Sequence, residues 1–267
     1  LGDALFPSRG GYLGDRFDPY RVYSPGNQGA NLMPNADDKR QERRLEGLGI
    51  VTDAFRRGRS KRVESTLHQH TIDAALKMMT SDQLKAFSMD DEPAAVKAAY
   101  GDSSFGKGCL VARRLIEQGV RAVEVSQNGF DTHADNFTGH ELRAGYMDPA
   151  ISTLLVELEE RDLLQSTVVL VIGEFGRTPN INPLDGRDHW PSGFSCLIGG
   201  GGLKGGQVIG ATDPTGTKKE PEDPIEIPDL YATILQTLGV DYARELITPI
   251  GRPLKLCQGT PIERLLA

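Results

Sequence analysis

Three short polar clusters between residues 128 and 191 hold the residues best suited to chemistry. Residues 128–133 contain Asp131 and His133, residues 173–179 contain Glu174 and Arg177, and residues 186–191 contain Asp188 and His189. Carboxylates and neutral imidazoles are the usual protein ligands of divalent ions, and arginine binds anions through two parallel N–H groups. Together the clusters suit one or two divalent ions beside an anionic substrate group.

The spacing within the first cluster allows both side chains to reach one ion. Asp131 and His133 are two residues apart, and in an extended segment such side chains point to the same side. The alternative is an aspartate that caps a turn beside a surface histidine.

The other two clusters also leave alternatives open. Asp188 would be a metal ligand or the group that orients His189, unless the two form only a buried hydrogen bond. Glu174 and Arg177 could equally form an ordinary surface ion pair.

The elements around the clusters indicate an α/β domain. Helices are predicted over residues 107–118, 148–161 and 228–238, and strands over residues 120–126, 167–172 and 194–198. Residues 167–172 are a continuous apolar run, which is typical of a central parallel strand covered on both faces. Since ligand sites of such sheets lie beyond the carboxyl ends of the strands, the clusters are expected to meet there.

The first part of the chain is less regular. We expect residues 1–60 to form an irregular or extended segment that packs on the core, with a helix over residues 37–60 whose charged face is solvated. Residues 61–80 and 91–99 are predicted to be helical. The α/β domain would then span residues 61–267.

Composition excludes several classes of protein. A net charge of -7 over 267 residues argues against a nucleic-acid binder, and no apolar run is long enough to span a membrane. The three cysteines are odd in number, widely spaced and without a Cys-x-x-Cys pair, so they indicate neither a thiolate zinc site nor a disulfide framework. The glycine run at 199–206 lacks the Gly-Lys-Ser/Thr ending of a phosphate loop. His68 and His70 face apart on a helix, and the role of His140 stays open.

The three clusters, together with residues 205–213 and 228–234, resemble an uncharacterised bacterial family of planctomycete type that carries domain of unknown function 1501. The resemblance is specific from about residue 95 and looser before it. That family is placed among the alkaline-phosphatase-like and sulfatase-like proteins. The resemblance implies a doubly wound, mostly parallel sheet with helices on both faces, of which this chain would be the C-terminal portion, with its N-terminal strands missing.

The resemblance also assigns roles to residues. Asp131 and His133 resemble the middle Asp and His of the superfamily's metal ligands, Glu174 the Asp of its Asp-His pair, and His189 its final His. Phe175 stands where the histidine of that pair is expected. The nucleophile, and a twin-arginine export signal that implies a periplasmic or otherwise extracytoplasmic location, would lie upstream of Leu1.

The first hypothesis is a metal-dependent hydrolase of phosphate or sulfate esters. Its divalent ion would be zinc, calcium, magnesium or manganese, and its substrate an anionic small molecule or a polysaccharide ester bound by Arg177. The metal ligands would come from Asp131, His133, Glu174, Asp188 and His189. The alternatives are a non-catalytic, degenerate member that acts as an exported binding protein, and a nucleotide-binding module that uses the glycine run.

Overall fold

Residues 10–26, 36–57, 59, 67–79, 81–248 and 250–266 are described by a computed structural model of the chain. The chain divides into a first unit, Leu1–Ala98 with Asp102–Val125, and a second unit, Ala99–Gly101 with Ser126–Ala267. Within the described residues, no helix has both the length and the apolarity needed to cross a membrane.

The first unit is helical. Its α-helices among the described residues are α1 (Asp38–Arg56), α2 (His68–Met79), α3 (Ala94–Tyr100, whose last two residues belong to the second unit) and α4 (Ser104–Glu117). Short 3-10 helices occupy Gly11–Leu13, Asp15–Phe17 and Asp82–Phe87.

Helix α4 organises the core of this unit. Ser103 caps its first turn by accepting a hydrogen bond from Gly106 N at 3.0 Å, and Gly119 ends it with a φ of 77° that side-chain-bearing residues rarely adopt. Its buried face packs on the 3-10 helix Asp82–Phe87. The core cluster comprises Leu84, Ala86, Phe87, Val111 and Leu115.

Helix α1 buries none of its residues, which confirms the prediction of a solvated helix in residues 37–60. Asp37 starts it by accepting a hydrogen bond from Arg40 N at 2.8 Å. The segment predicted to be irregular over residues 1–36 has only the two short 3-10 helices within Gly10–Gly26, and residues 1–9 and 27–35 lie outside the described residues. The helix predicted for residues 61–80 is observed as α2, and residues 61–66 and 80 also lie outside the described residues.

The second unit combines two α-helices with short strands in its described part. The helices are α5 (Asn136–Glu160) and α6 (Ile227–Thr237), and the strands are β1 (Val168–Val171), β2 (Gly176–Arg177), β3 (His189–Trp190), β4 (Leu197–Gly200), β5 (Glu245–Ile247) and β6 (Pro253–Lys255). The strands pair antiparallel as β1 with β4, β2 with β3 and β5 with β6. Further 3-10 helices occupy Leu164–Ser166 and Glu263–Leu265.

Apolar and small residues of α5 and α6 are buried in this unit. Ala150 and Leu158 of α5 and Leu230 and Ala232 of α6 are at most 3% exposed. Helix α6 begins with a proline in its first turn, where the missing N–H costs nothing, and it ends before Gly239. Both features agree with the prediction for residues 228–238.

The predicted elements are observed with some shifts. Helices α4 and α6 and strand β1 match their predictions, whereas α5 begins at Asn136, well before residue 148. Residues 120–126 are not a strand, because no described segment forms a ladder with them; Val120 and Val123 instead pack on the core cluster. The strand predicted for 194–198 is β4, displaced toward the glycines.

The parallel sheet stays a prediction. Strand β1 has the apolar character predicted for residues 167–172, and its partner in the described part of the chain is β4, with Val168 opposite Gly200 and Val171 opposite Leu197. This pairing is antiparallel, so the observed ladders by themselves do not form a doubly wound, mostly parallel sheet with helices on both faces.

Candidate metal centre

The segment before α5 presents Asp131 and His133 to the same side. His133 Nδ1 lies 3.1 Å from Asp131 Oδ1. Thr132, between them, turns the other way: its hydroxyl donates to Asn136 Oδ1 at 2.7 Å and lies 3.1 Å from His140 Nε2. The alternation expected for an extended segment is therefore observed, and His140 supports the segment through Thr132.

Strands β2 and β3 place Arg177 beside His189. The two residues are direct partners in the antiparallel ladder, and directly opposed residues project their side chains from the same face. Gly176 permits the close approach of the following chain, because a Cβ there would lie 2.4 Å from Gly193 O.

One carboxylate oxygen lies close to three nitrogen atoms from these segments. Asp131 Oδ1 lies 3.1 Å from His133 Nδ1, 3.1 Å from His189 Nε2 and 2.8 Å from Arg177 Nη2. The ligand atoms of Asp131, His133 and His189 all lie within 4.8 Å of one another. The structure thus brings together one residue pair from the first cluster and the histidine of the third.

Arg177 is the buried member of the site. Its side chain is 10% exposed, whereas those of Asp131, His133, Glu174 and His189 are 47–60% exposed. Its Nη2 group also donates to Glu174 Oε1, so one guanidinium bridges the two carboxylates. Its Nε atom is buried and has no hydrogen-bond partner among the described residues.

The pKa of the Asp131 carboxyl lies below its usual value. Partial desolvation would by itself raise this pKa, but the hydrogen bond from His189 and the charges of His133, Arg177 and His189 together outweigh it. Asp131 is consequently ionised at neutral pH, as a ligand to a cation must be.

Two of the sequence-predicted ligands are held by other partners. Glu174 is paired with Arg177, and Asp188 Oδ1 accepts a hydrogen bond from Asn182 Nδ2 at 3.1 Å. Neither belongs to the group of three residues whose ligand atoms converge. The Asp188 side chain contacts Asn182, and both roles considered for Asp188 stay predictions.

Phe175 fills the space next to His189. The two ring centroids are 4.8 Å apart in an edge-to-face arrangement, and the Arg177 guanidinium carbon lies 5.5 Å from the centroid of the same phenyl ring. The resemblance expects a histidine at this position. The phenyl ring that stands there contacts both the candidate ligand His189 and the buried Arg177.

The loop between β2 and β3 forms backbone hydrogen bonds with the segment that follows His133. Asp135 N donates to Leu184 O and Asn136 N donates to Asp185 O, and these bonds also start α5. Gly186 is required for this approach, since a Cβ there would lie 1.9 Å from His133 O. Sequence reasoning missed Asn182 and missed the role of Gly186, the first residue of the third cluster; the only signal was a run of turn-forming residues between the second and third clusters.

The remaining candidates have other surroundings. His68 and His70 lie on α2 in the first unit. The glycine run ends β4 and forms a turn, in which Gly201 N donates to Leu164 O at 2.8 Å. Within the described residues no helix opens directly after this turn, as a phosphate loop would require.

The converging side chains fit a divalent ion. Two imidazole nitrogens and one carboxylate oxygen form a three-ligand set of the kind that catalytic zinc sites use, and all three residues are open to solvent. The charges of Asp131, Glu174 and Arg177 sum to about -1, so a divalent ion would leave the site positive and suited to an anion.

Comparison with known proteins gives one result. The family model described as "Protein of unknown function (DUF1501)" matches residues 6–266. The match therefore includes the first part of the chain, where the sequence suggested only a loose resemblance. No curated protein and no solved structure matches the chain.

Proposed function

The chain belongs to the DUF1501 family, and we propose that it is a metal-dependent hydrolase of phosphate or sulfate esters. The observation that carries the proposal is the convergence of Asp131, His133 and His189, from segments 58 residues apart in sequence, on a group of ligand atoms within 4.8 Å.

Asp131, His133 and His189 would hold the ion. The two nitrogen ligands favour zinc over calcium or magnesium, which prefer sites made of oxygen atoms alone. When bound, a divalent ion would supply a Lewis acid that stabilises negative charge developing on the ester oxygens.

Arg177 would bind and orient the ester. Its guanidinium is nearly buried, it lies against the ligand Asp131, and its Nε group has no partner among the described residues. A planar guanidinium is suited to two oxygens of a phosphate or sulfate, which would compete with the carbonyl oxygens of Phe175 and Gly176 for Nη1. Glu174 accepts a hydrogen bond from the same Nη2 group that contacts Asp131, and it helps to keep the arginine at the edge of the site.

Placement in the alkaline-phosphatase-like superfamily belongs to the same proposal. It would add a parallel sheet, a nucleophile, an extracytoplasmic location, and small-molecule or polysaccharide esters as substrates. The support for it is the resemblance of the three clusters, together with the arrangement of Asp131, His133 and His189 on the described chain.

Metal analysis tests the proposal directly. The purified protein is expected to bind about one equivalent of zinc, and His133→Ala and His189→Ala to lose most of it. His70→Ala, which removes an exposed histidine of α2, is the matched control and is expected to keep the metal. A zinc-loaded protein that carries the nucleophile is expected to hydrolyse p-nitrophenyl phosphate or p-nitrophenyl sulfate, and its two ligand variants are expected to lose this activity.

Two results would contradict the proposal. Zinc binding that is the same in His133→Ala, His189→Ala and the wild type would show that these histidines are not ligands. Hydrolysis that survives removal of the metal by a chelator would show that the ion takes no part in it.

An exported binding protein is the second candidate, and Phe175 favours it. A phenyl ring replaces the imidazole that the resemblance expects, and it packs on His189 instead of offering a ligand. Under this alternative the wild type binds zinc and an anion without turnover. Activity that appears only after Phe175→His would favour this candidate over the hydrolase.

A further inference from the structure

Asn182, in the loop that joins β2 to β3, uses the whole of its side-chain amide. Its Oδ1 accepts hydrogen bonds from Leu184 N at 2.9 Å and Gly186 N at 3.0 Å. Its Nδ2 donates to His133 O at 3.1 Å and to Asp188 Oδ1 at 3.1 Å. A primary amide has two donor positions and two acceptor positions, and all four are occupied in Asn182.

The oxygen and the nitrogen of this amide bind different parts of the chain. The oxygen folds the local loop, because both of its donors lie within four residues of Asn182. The nitrogen reaches out of the loop: one bond goes to the backbone of His133, 49 residues away in sequence, and the other to the residue that precedes His189. A single NH₂ group therefore joins the two segments that carry the imidazoles.

We infer that Asn182 is the positioning residue of the site, which sets the separation of His133 and His189. It touches neither ligand atom and acts through the His133 carbonyl and the Asp188 carboxylate. Residues that hold metal ligands in place commonly change metal affinity by about 10- to 100-fold when they are substituted. The inference rests on the proposed function in that it concerns the same metal ligands.

Asn182→Asp isolates this role. Aspartate has the same shape and keeps an oxygen for Leu184 N and Gly186 N, but it replaces the NH₂ group with a second oxygen that faces His133 O and the Asp188 carboxylate. It also adds a negative charge next to a cation site, which by charge alone would strengthen metal binding. Lost positioning and added charge thus predict opposite changes in affinity.

Asn180→Asp is the matched control. It makes the same substitution two residues earlier in the same loop, where the side chain is exposed. It adds the same charge without removing the link between the two imidazole-bearing segments. The difference between the two variants therefore reports the link alone.

The experiment is a Co²⁺ titration of the full chain, followed by visible absorption and by competition with a chelator. Asn182→Asp is expected to weaken Co²⁺ binding at least about 10-fold and to alter the absorption bands at saturation. Asn180→Asp is expected to leave the bands unchanged and to bind Co²⁺ as tightly as the wild type, or more so. Far-UV circular dichroism verifies folding, and Asn182→Ser replaces Asn182→Asp if that variant does not fold.

A second measurement separates this inference from the proposed function. Ring ¹⁵N NMR spectra of the metal-free protein are expected to show shifted His133 and His189 signals in Asn182→Asp and unchanged ones in Asn180→Asp. If the wild type binds no Co²⁺, the proposed function fails while these spectra still decide the positioning role. Unchanged ring signals, or Co²⁺ affinity and bands equal to those of the wild type in Asn182→Asp, would overturn the inference.

Discussion

At the scale of single residues, the site is built around one oxygen atom. Asp131 Oδ1 lies 3.1 Å from one nitrogen of His133, 3.1 Å from one nitrogen of His189 and 2.8 Å from the Arg177 guanidinium. The residue types of this group were predictable from the sequence, because carboxylate, imidazole and guanidinium form a recognisable inventory. Which of them share an atom was not, since that depends on distances between segments far apart in the chain.

Removal of the Arg177 guanidinium is expected to change binding and catalysis in opposite directions. In Arg177→Ala the positive charge 2.8 Å from Asp131 Oδ1 is gone, so the affinity for zinc rises. The ester loses its anchor, so kcat/KM falls by about 100-fold, the usual effect of losing one charge-stabilising donor. Isothermal titration and steady-state kinetics measure the two effects.

Arg264→Ala is the control for this prediction, because Arg264 forms an exposed ion pair with Asp223 and makes no bond to the site. Equal losses of kcat/KM in Arg177→Ala and Arg264→Ala would show that Arg177 has no specific role.

Cys109 is expected to destabilise the protein at alkaline pH. Burial raises the pKa of its thiol from 9.0 to about 12. Between these pH values the unfolded chain loses a proton that the folded chain keeps, so this contribution to stability is complete below pH 9 and is lost as the pH rises toward 12. The free energy of unfolding should fall by about 1.4 kcal/mol per pH unit from this group.

Urea denaturation of the wild type and of Cys109→Ala from pH 8 to pH 11 measures this contribution. The two proteins are expected to differ in the slope of stability against pH above pH 9. Parallel curves would show that the thiol does not titrate differently in the folded state.

At the scale of elements, the site depends on how closely two loops approach. Gly186 is buried, and a Cβ on it would lie 1.9 Å from His133 O. We expect Gly186→Ala to push the two segments apart, to lower the free energy of unfolding by about 1–3 kcal/mol, and to weaken zinc binding. Thermal denaturation and zinc titration measure these changes.

Gly145→Ala is the matched control. Gly145 lies within α5, and a Cβ there meets nothing within 4 Å. Because alanine is a better helix former, this variant should gain about 0.5–1 kcal/mol and bind zinc normally. Normal zinc binding by Gly186→Ala would contradict the requirement for a glycine between the loops.

The elements were predictable where local signals decide them. Helices α4 and α6 have a serine cap or an early proline, terminal glycines, and apolar periodicity, and all of these act within a few residues. Residues 120–126 had the composition of a strand, but a strand exists only with a partner, and composition does not supply one. The early start of α5 depends on backbone hydrogen bonds to Leu184 and Asp185, and no local sequence pattern predicts these bonds.

At the scale of the whole molecule, all of the site residues belong to the second unit. Zinc at about 100 times its Kd should stabilise the folded state by about 2.7 kcal/mol, because the unfolded chain does not bring the ligands together. Hydrogen exchange with and without zinc is expected to show added protection in residues 126–267. His133→Ala is expected to remove that change, and added protection only in residues 1–98 would contradict the location of the site.

The ladder that sets Arg177 beside His189 is only two residues long on each strand. A slip of one position would turn one of the two side chains to the opposite face. The number of residues in the connecting loop is therefore constrained, in addition to the identities of Asn182 and Gly186. Among natural variants of this chain, single-residue insertions or deletions between 178 and 188 should be rarer than substitutions at the exposed positions of this segment, such as Asn180 and Leu184.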